Sequence, residues 1–173
     1  MRKFKEKKKP NMDGINLLVS ILICYPEMAT VSFEPKEDSL HMSFALREVP
    51  SEPSFAAAGQ FIRESILTYH HLEGFPGAHV SLALEAQGNT AFIHIVRDVA
   101  TLSRGEIRLI TALIEEHFSS LLILERDKDL QDLEADAIQE EAIDHMLGNL
   151  KINRITDRMV GVREEGRVMV FNK

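Results

Sequence analysis

Tryptophan is absent from this 173-residue chain, cysteine occurs once, and aromatic residues make up only 6%. A lone Cys24 excludes an internal disulfide framework and any zinc site built from several cysteines. So few aromatics leave few platforms on which single-stranded nucleic acid can stack. The strings Gly-x-x-x-x-Gly-Lys-Ser/Thr, Gly-x-Gly-x-x-Gly and Gly-x-Ser-x-Gly are all missing. The local signals for a phosphate loop, a dinucleotide turn and a serine-hydrolase elbow are therefore gone. Long apolar runs are missing too: Ile15 to Cys24, interrupted by Asn16 and Ser20, is the longest and is too short to span a bilayer.

What remains is ordinary for a folded domain. Hydrophobic residues are 45% and charged residues 27%. A chain of this length buries roughly 70% of its unfolded surface and needs no metal or disulfide staple. The net charge of −7 is unevenly spread. Arg2, Lys3, Lys5, Lys7, Lys8 and Lys9 sit together at the start, so residues 13–173 carry −12. Such an acidic body repels phosphate surfaces, whereas a basic arm binds them by counterion release without reading sequence. Residues 127–144 are rich in acid and residues 151–173 in base, and the two segments are expected to pair internally. A basic start before Ile15–Cys24 imitates a signal peptide. Pro10 and Asp13 break the pattern, and Glu27-Met28-Ala29 lacks a small residue at its first position, so a cytoplasmic location is expected.

Hydrophobic periodicity supplies the fold. A helix is expected from about Gly14 to Pro26, with Asp13 as cap. Ala29, Val31 and Phe33, then Leu40, Met42, Phe44 and Leu46, alternate around Pro35-Lys36-Glu37-Asp38, which predicts a hairpin with Phe33 opposite Leu40 and Val31 opposite Met42. Residues 54–72 carry a helical stripe ended by Gly74. Gly88-Asn89 turns a second hairpin, with Leu84 opposite Ile93 and Leu82 opposite Ile95. Ser103 and Glu106 have capping-box spacing before a third helix. Leu121–Leu124 reads as a short strand, and a fourth helix runs from Asp127 to about Leu150. The last hairpin is expected to turn on Glu164-Glu165-Gly166, placing Val160, Val162, Val168 and Val170 on one face.

The order α-ββ-α-ββ-α-β-α-ββ predicts an α+β domain over residues 13–173: a mainly antiparallel sheet built from three β-hairpins, with amphipathic helices on one face. A basic flexible arm, residues 1–12, precedes it. Residues 49–54 or 126–129 are the candidate subdomain junctions.

Chemistry-bearing residues are sparse. Cys24 lies in an apolar run that raises a thiol pKa and makes it inert. His70 and His71 are adjacent on a helix and point about 100° apart, so they do not chelate one ion. Glu141 and His145, like Glu140 and Asp144, have the spacing of an exposed helical pair. His79, Glu85 and His94 fall on the outer face of the second hairpin and form the one candidate polar cluster, with His79 opposite Asp98 and Glu85 opposite Phe92. Gly74-Phe75-Pro76-Gly77 matches a nucleic-acid clamp string but joins a helix to a strand, and proline lacks the needed N–H. No metal or cofactor is expected.

The leading expectation is a non-enzymatic cytoplasmic interaction or regulatory domain that binds a protein partner or itself. Two alternatives stand beside it: an RNA- or ribosome-associated protein tethered by residues 2–9, and a small-molecule enzyme using His79, Glu85 and His94 or Glu141 and His145.

Overall fold

The structure, a computed structural model, describes residues 12–74, 79–124, 133–153 and 156–172, with the backbone alone for 133–139. The basic residues 2–9, the 126–129 junction and most of Gly74-Phe75-Pro76-Gly77 lie outside the described residues. The elements are α1 (Met12–Cys24), β1 (Thr30–Glu34), β2 (Ser39–Leu46), α2 (Glu52–Leu72), β3 (Val80–Gln87), β4 (Thr90–Asp98), a 3-10 turn (Val99–Thr101), α3 (Arg104–Phe118), α4 (Leu133–Ile152), β5 (Met159–Glu164) and β6 (Arg167–Asn172). The chain is thus α+β, and its six strands form one antiparallel sheet ordered β3-β4-β2-β1-β5-β6.

Two hairpins follow the expected register. Phe33 faces Leu40 and Val31 faces Met42 in the first. In the second, Leu84 faces Ile93 and Leu82 faces Ile95. Each pairing puts a full apolar row on one side, so a one-residue slip would turn the whole row to water.

The third hairpin does not follow its expected register. Glu164 pairs with Arg167, leaving a two-residue turn of Glu165 and Gly166, both at positive φ (51° and 74°). That is the mirror-image turn whose twist matches the strands it joins. With one turn residue fewer, every side chain of β6 changes sides. Val168 and Val170 pack toward the core with Met159, whereas Val160 and Val162 share the other face with Met169 and Phe171. Gly161, on the core side, lets α1 approach closely: a Cβ there would lie 3.2 Å from Leu22 and 3.4 Å from Leu18.

Two smaller differences concern ends. Helix α2 starts at Glu52 rather than at residue 54, because Ser51 accepts from the Ser54 N–H and Pro53 occupies the first turn, where no N–H is needed. Leu121–Leu124 is an isolated bridge rather than a strand. Leu122 pairs with Leu46, and the Arg47 N–H donates to Leu121 O, beside the end of β2 that lies beyond β1's first paired residue, Thr30.

Helix α1 packs on β5, β6 and β1, α2 packs on β3, α3 lies beside α2, and α4 lies along α1. The helices and one sheet face enclose a single cluster that includes Leu18, Ile21, Phe33, Met42, Phe44, Ile62, Ile93, Ile95, Ile110 and Leu147. Tyr25 closes one end of it. Its hydroxyl donates to Glu140, and burial, followed by the Glu140 charge, holds its pKa well above the usual phenol value.

No described helix lies on the other sheet face. Directly opposed residues in adjacent strands point the same way, so that face can be read across the sheet in strand order. One row runs Ala83, His94, Ser43, Thr30, Val162, Met169. The next runs Ser81, Val96, His41, Ser32, Val160, Phe171. Neither row contains Lys, Arg, Asp or Glu. Charges appear only at the rims, as Glu85, Glu164 and Arg167 at one end and Asp98, Glu34 and Arg158 at the other.

Candidate functional site

The chemistry-bearing residues fall on opposite sides of the sheet. On the core side, strand β4 reads Ala91, Ile93, Ile95, and its next inward residue is Arg97, which is fully buried. Four of its five N–H groups donate to an oxygen. Nε donates to Glu106 Oε1 (2.8 Å), Nη1 to His79 O (2.7 Å) and Asp98 Oδ1, and Nη2 to Thr101 Oγ1 (2.9 Å), with His70 Nε2 2.8 Å away. A buried guanidinium persists only when its donors are satisfied and its charge is balanced.

Glu106 supplies that balance. Ser103 caps α3 by accepting from the Glu106 N–H, as the spacing predicts. The Glu106 side chain turns inward instead of back to the cap, and its carboxylate contacts both Arg97 and His70. The cluster joins α2, α3 and β4. His70 Nδ1 and Glu106 Oε2 are buried without a hydrogen-bond partner. Asp98 lies at the cluster's edge. Burial pushes its pKa up, but hydrogen bonds from Thr101 and Arg97 and the Arg97 charge outweigh that and hold it below the usual carboxylate range. The signal for this cluster was the alternation itself, which carries a charge onto the apolar side of β4 at Arg97. His70 and Glu106 had no such signal.

The expected polar cluster is only partly assembled. His94 Nε2 lies 2.7 Å from Glu85 Oε2, and its Nδ1 lies 2.7 Å from Ser43 Oγ. Hydrogen bonds from Gln87 and then His94 hold the Glu85 carboxyl below its usual range. His79 is elsewhere, at the far end of β3, where its backbone N–H donates to Asp98 and its carbonyl accepts from Arg97. Ser43 was not anticipated; only the β2–β4 pairing brings it beside His94.

The chain Ser43–His94–Glu85 has the residue types of a hydrolytic triad. An oxyanion hole needs free backbone N–H groups aimed at the reacting atom. Ser43 and His94 lie instead on inner strands laddered on both sides, with Glu85 on the edge strand β3. The imidazole also stacks 6.2 Å from the Phe92 ring, in an open face and not a cleft.

Three concavities of the described residues bear on the site. An open cleft of about 650 Å³ lies between the β2–α2 link and the end of α3, where His117 meets Phe61 at 5.1 Å. Glu48 and His117 both line it. Two shallow clefts flank the open sheet face. One, about 380 Å³ and largely apolar, is lined by Ala45, Phe92, Ile123 and Val162. The other, about 260 Å³, lies by Ser39, His79 and Asp98.

The remaining candidates disperse. Glu141 and His145 are exposed, and Asp144 pairs with Arg104. Most acids of the expected pairing between the last hairpin and the acidic helix lie outside the described residues; Arg158 pairs with Glu34, and Arg163 donates to Leu22 O. Cys24 is half-buried against the core. Among the described residues no group of three or more His, Cys, Asp or Glu is placed to hold a metal, and no helix is long and apolar enough to cross a membrane.

No protein family, curated protein or solved structure matches this chain.

Proposed function

We propose that the chain is a non-enzymatic cytoplasmic domain that binds protein through the sheet face on which no described helix lies. One observation carries this reading: the two central rows of that face hold no Lys, Arg, Asp or Glu from edge to edge, and these residue types occur only at its ends. At the 27% charge of this chain, about three charged side chains would be expected among so many surface positions. Protein interfaces have this anatomy, with charge depleted at the centre and retained at the rim. Val160, Val162, Met169 and Phe171 supply the apolar part; Met169 and Phe171 are 38% and 50% exposed.

The test compares two phenylalanines of equal exposure. Phe171 lies on the open face and Phe61 on α2, both at 50%. A photo-crosslinking phenylalanine analogue is placed at either position in cells. Protein adducts from position 171, with few from position 61, are the expected result. Equal yields from both, or none from 171, would refute the proposal.

A further inference from the structure

We infer that the protein bound by the open face is a second copy of this chain, joined face to face about a two-fold axis that runs along the strands. The inference rests on the open face being a protein-binding surface, and it adds the identity of the occupant.

Size supports it first. Six strands about 4.8 Å apart, each offering about 20 Å of length, present a footprint of roughly 600 Å² before side-chain relief is counted. Stable interfaces take about 800 Å² from each partner, so the whole face is needed and a second sheet of equal extent supplies the match. Two antiparallel sheets stacked about 10 Å apart are also a standard solution for covering a bare face.

Shape supports it next. The axis passes between the two central strands, β2 and β1, so it lays β3 of one copy over β6 of the other. On the open face β3 offers Ser81 and Ala83, whereas β6 offers Met169 and Phe171 in the same two rows. Small side chains at one edge thus receive large ones from the other, twice, as an isologous contact requires. The angle between twisted sheets shifts these rows without changing which edges meet.

Charge supports it last. Glu85 on β3 and Arg167 on β6 lie at the same end of the sheet, two residues beyond Ala83 and Met169 on their strands. The same rotation brings Glu85 of each copy to the corner occupied by Arg167 of the other. An opposite pair at each rim corner fixes orientation more than it adds affinity.

Sedimentation velocity on the full chain, from about 1 to about 200 μM, tests this. The expected result is a species of twice the 19.6 kDa chain mass at the upper concentrations. Ala83→Arg should weaken association at least about tenfold by filling the space that receives Met169 or Phe171. Glu85→Arg alone should weaken it, and Glu85→Arg with Arg167→Glu should restore it to within about threefold of the parent. Unchanged circular dichroism and urea midpoints would show that these surface variants fold. A chain monomeric throughout the range overturns the inference, as does a dimer indifferent to Ala83→Arg and to the charge exchange. The Phe171 crosslink separates this failure from that of the broader reading. Adducts at twice the chain mass containing only this sequence support self-association, whereas adducts to another protein keep the binding face and overturn the second copy.

Discussion

Among the described residues a histidine–carboxylate contact lies on each side of the sheet, and the two have opposite consequences. His70 and Glu106 meet in the core, with side-chain exposures of 3% and 0%, under a guanidinium that is itself fully buried. His94 and Glu85 meet on the open face at 34% and 53%. The residue pairing is the same, but only the buried one is shielded from water. In the core, removing one member strands a charge that nothing can solvate. On the surface, water replaces whatever is lost. Chemistry-bearing residue types therefore mark a structural joint on one side and an approachable surface on the other.

The largest test of that contrast is Arg97→Met, expected to cost about 3–5 kcal/mol in urea unfolding because it leaves the buried Glu106 without its guanidinium partner. Replacing His70, Arg97 and Glu106 together by apolar residues of similar volume should recover most of that loss. A triple variant as unstable as Arg97→Met would mean that the cluster stabilises the fold outright.

On the same closed face, Gly161→Val should cost about 1–3 kcal/mol by thermal unfolding, since its side chain would meet Leu22 and Leu18 at close range. Val160 and Val162, one position away on the open face, should accept Thr with little loss of stability.

Acid sharpens the comparison further. The Asp98 carboxyl has a lower pKa folded than unfolded. Its contribution is therefore complete above the ordinary carboxylate range and is lost as pH falls through its folded value. The urea midpoint of the parent should decline more steeply between about pH 4 and pH 2 than that of Asp98→Asn. Parallel declines would remove Asp98 from the acid response.

Glu85→Gln should have the smallest effect. Its carboxyl has a lowered pKa too, with the same sign, but it is exposed. The urea midpoint at pH 7 should not move measurably under conditions where the chain is monomeric. A clear loss there would show that the surface pair holds the fold together, contrary to the comparison.

Several particulars show how far the sequence could be read. Val31, Phe33, Leu40 and Met42 announced their own pairing, because only one register keeps all four out of water. Gly88-Asn89 did the same for β3 and β4. The last hairpin resisted, since valines alternate in both β5 and β6 and Gly166 suits a turn of either length. The observed turn needs positive φ at Glu165 as well, which a glutamate does not advertise. At the candidate site, Glu85 and His94 were legible as neighbours through one hairpin. Ser43 was not, because it reaches His94 only through the pairing of β2 with β4, whose strands are separated by the whole of α2 and β3.

Local periodicity, turn chemistry and capping alone determined four helices, three hairpins and a sheet with one apolar face, since these depend on neighbours within a few residues. Strand order, the partners of Arg97 and the absence of Lys, Arg, Asp and Glu from the two central rows of the open face were decided by the tertiary structure. They arise where distant segments exclude water together, and the free energy of removing a charge from water, or of leaving a sheet face bare, depends on everything packed around it.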